Sequence, residues 1–128
     1  MVAGGLVGMQ VPGLETRAFS ARSIDGVVAE LGIDRIDLIK MDIEGAEPLA
    51  LDGAMKAIRR FRPQLAISIY HQPEHFYMLP LILMEALDEY DFFVRNYHFI
   101  SNETIFYATP KERGYRPRRR SLAVALRQ

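Results

Sequence analysis

Three observations predict an α/β fold with parallel strands and an antiparallel hairpin at one edge. Two apolar runs, Ile36–Asp42 and Leu65–Tyr70, are each followed by a stretch with helical spacing. Two later runs, Phe92–Phe99 and Thr104–Ala108, are separated only by the turn Ile100-Ser101-Asn102. Strand–helix–strand units build parallel sheets, whereas so short a connection allows only antiparallel pairing. The third observation is bulk: 128 residues, 49% hydrophobic and 25% charged, fit one soluble domain that buries a modest share of its surface.

The elements follow in order. Residues 1–19 form an irregular lead-in, with Gly4, Gly5, Gly8, Gly13 and Pro12 as breaks and a strand at Thr16–Ala21 as its candidate element. Ser23 is placed to N-cap a short helix through Leu31, with Val27, Val28 and Leu31 as the buried stripe and Gly32 as the stop. In Ile36–Asp42 the apolar residues are nearly continuous (Ile36, Leu38, Ile39, Met41, then Ile43), which predicts a strand covered on both faces. A helical stretch follows, with Pro48 near its start, where its missing N–H costs nothing. Leu51, Met55 and Ile58 share its inner face, and Gly53 splits or bends it. The strand Leu65–Tyr70 comes after Arg62-Pro63, and a second helix is clearest over Pro80–Glu89. No internal repeat is visible.

Charge is unevenly spread. Residues 111–128 hold seven Lys/Arg against one acid, so this tail carries +6 and residues 1–110 carry −6 in a chain of zero net charge. The tail, with Arg113-Gly114-Tyr115-Arg116-Pro117-Arg118-Arg119-Arg120, is expected to be a disordered, solvated segment; no nucleic-acid partner is expected, and an RNA-binding module is the minor alternative. With no cysteine there is no disulfide, zinc–thiolate site or thiol nucleophile. No secretory signal is evident at Met1–Gln10, and the longest apolar run, Phe76–Met84, is broken by Pro80 and too short for a membrane span. A cytoplasmic location is the default expectation.

The chemistry concentrates where Ile36–Asp42 ends. Ligands of open α/β sheets bind at the carboxyl ends of the strands, so Asp42 and Glu44 are site candidates. Asp42 can act as a base or electrostatic partner, or merely cap the next helix. Glu44 can join it or satisfy the helix start. Glu47, in the first helical turn, is most simply a partner of the helix dipole. Lys40 has the same strand parity as Asp42, so both point to one face, where it can neutralise Asp42 or Glu44 or take part in catalysis. His71 closes the second strand and is the general-base candidate, with an ordinary pKa near 6.5. A metal shared by Asp42, Glu44 and His71 is the weaker idea. His75 is expected in solvent and His98 in cross-strand packing. Phe76, Tyr77 and Met78 are expected in the core, or as a lid.

Four landmarks in register resemble the FkbM family of S-adenosylmethionine-dependent methyltransferases. They are Ser23-Ile24-Asp25; Ile36–Glu47 with Leu51-Asp52-Gly53-Ala54; Arg62-Pro63 through Ile69-Tyr70-His71; and Tyr90-Asp91-Phe92 through Glu103–Ala108. The resemblance covers residues 20–110 and implies the C-terminal half of a class I, Rossmann-like methyltransferase sheet. It implies S-adenosylmethionine as cofactor and O-methylation of a sugar, polyketide or other small-molecule hydroxyl. Asp42 and His71 are the expected catalytic residues, Glu44 and Lys40 support them, and Asp42 also contacts the cofactor. Three upstream strands and the glycine-rich cofactor turn have no counterpart here, since Gly4-Gly5-Leu6-Val7-Gly8 has no preceding strand. The chain is therefore expected to be a partial domain. Its strand ending in Asp42 should then be an exposed edge that can pair with another chain, possible homo-oligomers included. The alternative is a vestigial or accessory fragment that pairs this way without catalysis.

Overall fold

The computed structural model describes residues 20–99 and 103–113. Its elements are α1 (Ile24–Leu31), β1 (Leu38–Met41), α2 (Glu47–Asp52), α3 (Met55–Phe61), β2 (Gln64–Ser68), α4 (His75–Ala86), β3 (Tyr90–Asn96) and β4 (Thr104–Pro110), then a 3-10 turn at Lys111–Arg113. The Gly4–Gly8 glycines, the hairpin turn 100–102 and the basic run from 114 lie outside the described residues. So does most of the Thr16–Ala21 strand; Ser20 and Ala21 themselves are not extended in a sheet.

The sheet order is β1-β2-β4-β3. Only β1 and β2 are parallel, with Ile39 opposite Leu65 and Met41 opposite Ile67. Strand β4 runs antiparallel to both of its neighbours, so the closing hairpin places its second strand inside the sheet and its first at the edge. The sheet is thus mixed, a parallel pair with an antiparallel hairpin at one edge, as expected. Sequence spacing indicates that two strands pair, but not which of them lies against β2.

Burial explains the two layers. Side chains alternate along each strand. One face supplies Ile39, Met41, Leu65, Ile67, Phe106 and Ala108 to a core completed by Leu51, Ile58, Leu79 and Leu83 from α2, α3 and α4 and by Ala54 between α2 and α3. Each fully buried Leu or Ile contributes about 1.5–3 kcal/mol. The other face bears Lys40 and Arg95, which are exposed, and Phe93, Ile105 and Tyr107, which are half-buried. This corrects the expectation that β1 is covered on both faces: its burial alternates, and Leu38 is 57% exposed. Strand β1 also lies at the sheet edge, with β2 its one neighbour among the described residues.

Helix α1 starts and stops as its caps dictate. Ser23 Oγ accepts the Gly26 N–H at 3.1 Å, and Gly32 closes the helix at φ 61°, in the left-handed region that glycine tolerates. Its stripe is narrower than expected: Val28 is buried, but Leu31 is 65% exposed. Asp25 acts across the chain rather than within α1. Its carboxylate accepts the N–H groups of Ala57 (2.7 Å) and Lys56 (3.2 Å), capping α3, whose own N-cap residue Ala54 has no side-chain oxygen to offer.

Helix α4 begins at His75, five residues before Pro80, which lies inside it. Burial of Leu79 and Leu83 on the core offsets the hydrogen bond that Pro80 cannot make. Phe76 and Tyr77 are exposed, so neither is a core residue.

At the amino-terminal end of β2, Arg62 is the organising residue. Its guanidinium donates to Glu112 at 2.6 and 3.0 Å and to the carbonyls of Asp88 and Glu89, each at 3.1 Å, and it lies over the Tyr90 ring. Arg113 reaches Asp37 at 3.0 Å. Residues 111–113 thus form a turn that contacts the body through Glu112 and Arg113.

Candidate functional site

The loop from β1 to α2 shapes the site. The Ala46 N–H donates to the Ile43 carbonyl at 3.2 Å, closing a four-residue turn around Glu44 and Gly45. Both central residues have positive φ, 55° and 98°, the pattern of a type I′ turn. Glycine suits this; glutamate does not. The turn points Asp42 and Glu44 outward and brings Glu47 back beneath them. Glu47 Oε1 then accepts the Ile43 N–H at 2.9 Å.

Because β1 and β2 are parallel neighbours, their carboxyl ends bring Asp42, Tyr70 and His71 together. Tyr70 donates its hydroxyl to Asp42 Oδ1 at 3.2 Å, and His71 Nε2 lies 3.3 Å from the same oxygen. The other ring nitrogen, Nδ1, is 2.8 Å from Glu47 Oε1, though out of line for a well-formed N–H bond. Desolvation pushes the Tyr70 phenol upward, with the Asp42 charge adding to it, so Tyr70 stays a protonated donor. The His71 side chain is only 6% exposed, whereas that of Asp42 is 40% exposed. Asp42 therefore meets solvent, and His71 stands behind it.

The remaining expected residues divide. Lys40 is exposed on the same face as Asp42 and finds no acidic partner among the described residues. Glu44 is 91% exposed, with an oxygen 3.7 Å from His71 Nε2, so it caps nothing. His75 is a correction, being buried rather than in solvent, with Nδ1 3.7 Å from Glu47 Oε2. Exposed His98 rests its ring against Phe99, at 4.4 Å between centroids. Among the described residues no group of three His, Asp or Glu is arranged to hold a metal ion.

A pocket of about 350 Å³ opens beside Asp42, lined by Lys40, Ser68, Tyr70, Tyr97, Glu103 and Ile105 as well. Ser68 is 1% exposed, and its Oγ has no partner among the described residues. Two features escaped sequence reading: the burial of Glu47, and the approach of Ser68, Tyr97 and Glu103 to Asp42. The place of Glu47 in the first helical turn suggests only a partner of the helix dipole, and the β4 contribution depends on sheet order. A larger hollow of about 610 Å³ at the opposite end is lined by Asp34, Arg35, Asp37, Arg60 and Arg113. There Arg35 and Arg113 both pair with Asp37.

An α/β chain that gathers carboxylates, an imidazole and a hydroxyl at the carboxyl ends of adjacent parallel strands falls among open-sheet proteins whose ligands bind at that edge. The comparisons narrow this class. The methyltransferase FkbM domain matches residues 10–117, and the chain belongs to that family. It is similar to the crystal structure of methyltransferase FkbM from Methylobacillus flagellatus KT, with 33% identity and a TM-score of 0.63. The match covers 71% of this chain and 23% of that one, so this chain spans about a quarter of its solved relative. No curated protein matches. Among the described residues no helix is long and apolar enough to cross a membrane.

Proposed function

We propose that the chain is part of a class I methyltransferase domain that uses S-adenosylmethionine to methylate a hydroxyl oxygen of a small molecule. The observation that carries this is Asp42: a half-open carboxylate at the pocket whose Oδ1 accepts the Tyr70 hydroxyl and lies 3.3 Å from His71 Nε2. The strand order supports the fold part of the reading, because a reversed strand inserted next to the edge accounts for the short final connection. The donor set suits the cofactor's reactive end: Asp42 and Glu103 can face a cationic sulfonium, and Ser68 Oγ and Tyr70 can meet hydroxyls. When bound, S-adenosylmethionine supplies a methyl group activated by the sulfonium.

The side chains divide the remaining work. The Asp42 carboxylate would accept the proton of the acceptor hydroxyl as its oxygen gains the methyl group and S-adenosylhomocysteine is left, and the Tyr70 hydroxyl holds the carboxylate in place. Lys40, on the rim, orients the acceptor or offsets the charge of Asp42. Glu44, exposed beside His71, adds negative potential.

Calorimetric titration of the full chain with S-adenosylmethionine and S-adenosylhomocysteine tests the proposal. Binding is expected, and Asp42→Ala should weaken the cationic ligand at least tenfold more than its neutral, demethylated counterpart. The absence of heat with either ligand at millimolar concentration would overturn it for this chain.

A second, non-catalytic reading draws on one observation, the β1 edge with Leu38 exposed beside it. It expects a dimer through β1 and no cofactor binding. Sedimentation of a monomer at 100-micromolar order, well above ordinary interface affinities, together with cofactor binding would dismiss it.

A further inference from the structure

Glu47 is the most unexpected group in the molecule. It is 0% exposed, yet a glutamate in a first helical turn obtains its favourable dipole interaction at the surface. Taking a carboxylate out of water costs several kcal/mol, of order, unless specific partners repay it. Three partners face it: the Ile43 N–H at 2.9 Å, His71 Nδ1 at 2.8 Å and His75 Nδ1 at 3.7 Å. Only the first is a well-formed hydrogen bond; Glu47 Oε2, both ring nitrogens of His71 and His75 Nδ1 have no hydrogen-bond partner among the described residues. Stability alone does not explain such an arrangement, because a partly satisfied buried polar network is worse than an apolar core.

Position does explain it. A neutral imidazole carries one proton, and the partner of one ring nitrogen decides which nitrogen holds it. The groups around His71 are Glu47 from α2, His75 from α4, Asp42 and Glu44 from the loop after β1, and Tyr70 preceding it in the chain. Of these, Glu47 alone lies within 3 Å of a ring nitrogen. We infer that Glu47 is a positioning residue. It holds the His71 proton on Nδ1 and turns the Nε2 lone pair toward Asp42, 3.3 Å away, making a path from the pocket to the interior. The inference rests on the methyl-transfer reading for its purpose: the proton lost by the acceptor goes to Asp42 and on to Nε2, restoring the carboxylate. The placement of the ring proton stands apart from that reading.

Nitrogen-15 NMR of the three histidine rings in the full chain, with His71→Asn to assign the signals, tests it. At alkaline pH, His71 is expected as the Nδ1–H tautomer, the minor form of a free histidine side chain. Glu47 Oε1 serves both Ile43 and His71, so a Gln would keep the acceptor; Glu47→Leu, close in size, removes it and should move His71 to the Nε2–H tautomer while the backbone amide spectrum stays native. An Nε2–H tautomer in the unaltered chain overturns the inference without any variant, as does an unchanged ring in a folded Glu47→Leu. Where methyl transfer is measurable, Glu47→Leu should lower kcat by roughly 10²-fold, the scale of a lost general base, with KM unchanged. A KM effect alone would overturn the relay. Failure of cofactor binding would overturn the functional reading and leave the tautomer result intact.

Discussion

The two ends of the sheet handle charge in opposite ways. At the amino-terminal end of β2, Arg62 meets a carboxylate and two backbone carbonyls, and Arg35 and Arg113 share Asp37. These groups are largely accessible and well paired. At the carboxyl end, Glu47 and His71 are buried but their hydrogen bonding is incomplete, Ser68 Oγ has no partner, and Glu44 occupies a left-handed conformation. Buried polar groups are nearly always satisfied in native proteins, so a cluster of exceptions calls for a reason. One end joins segments distant in sequence. The other carries unmet hydrogen-bonding capacity; left-handed non-glycine backbone is common to both ends, at Arg62 and Glu89 and at Glu44 and Glu103.

That contrast can be broken at the well-paired end. Arg62→Ala removes four donor contacts and the packing on Tyr90 and should lower stability by about 1–2 kcal/mol, solvent screening of the ion pair keeping the loss modest. Chemical denaturation measures it. Binding of S-adenosylmethionine should persist at conditions where the variant is folded. A larger loss of ligand affinity than of stability would mean that the two ends are coupled, and the contrast would fail.

A smaller effect tests the electrostatics of the same end. The Arg62 guanidinium holds the Glu112 carboxyl well below the ordinary range, down to about 2. A depressed carboxyl binds its proton more readily in the unfolded chain, so the stabilisation is present above the unfolded value near 4.5 and is lost as pH falls through about 2. The melting-temperature gap between the natural chain and Glu112→Gln should be full at pH 6, shrink below about pH 4.5 and vanish below about pH 2. A gap that persisted at the acid limit would show that Glu112 acts through packing rather than charge. Being exposed, it should also lose most of this effect in high salt.

The same contrast explains what could be read from sequence. The order of elements was legible because Gly32, Gly53 and Pro63 punctuate apolar runs of the right lengths, and the α1 caps follow from the local chemistry of Ser23 and Gly32. The meeting of Asp42 and His71 was legible too, since consecutive parallel strands place their ends side by side. What escaped depends on contacts remote in sequence. Asp25 caps a helix more than thirty residues away, β4 inserts between β2 and β3, and α4 extends upstream of Pro80 because the core rewards Leu79. Glu47 read as a partner of the helix dipole and His75 as a solvent group, and only the fold brings each to the other. Local rules thus served where local forces decide, and failed where a buried charge is held for another purpose.

The smallest expected effect, and the sharpest, concerns Glu44. Its φ of 55° places a glutamate in a left-handed conformation that asparagine adopts more readily. Glu44→Asn should therefore stabilise the fold by about 0.5 kcal/mol, a fraction of the 1–2 kcal/mol cost of left-handed backbone for an ordinary residue. It also removes a carboxylate 3.7 Å from His71 Nε2. If the turn serves only to redirect the chain, the variant should gain stability and bind S-adenosylmethionine as before. If the glutamate is retained for its charge beside the site, stability should rise while affinity for the cationic ligand falls and affinity for S-adenosylhomocysteine holds. The second outcome is expected, because an exposed glutamate at a strained position is otherwise an unexplained cost. Equal affinities for both ligands would assign the strain to the turn alone and remove Glu44 from the site.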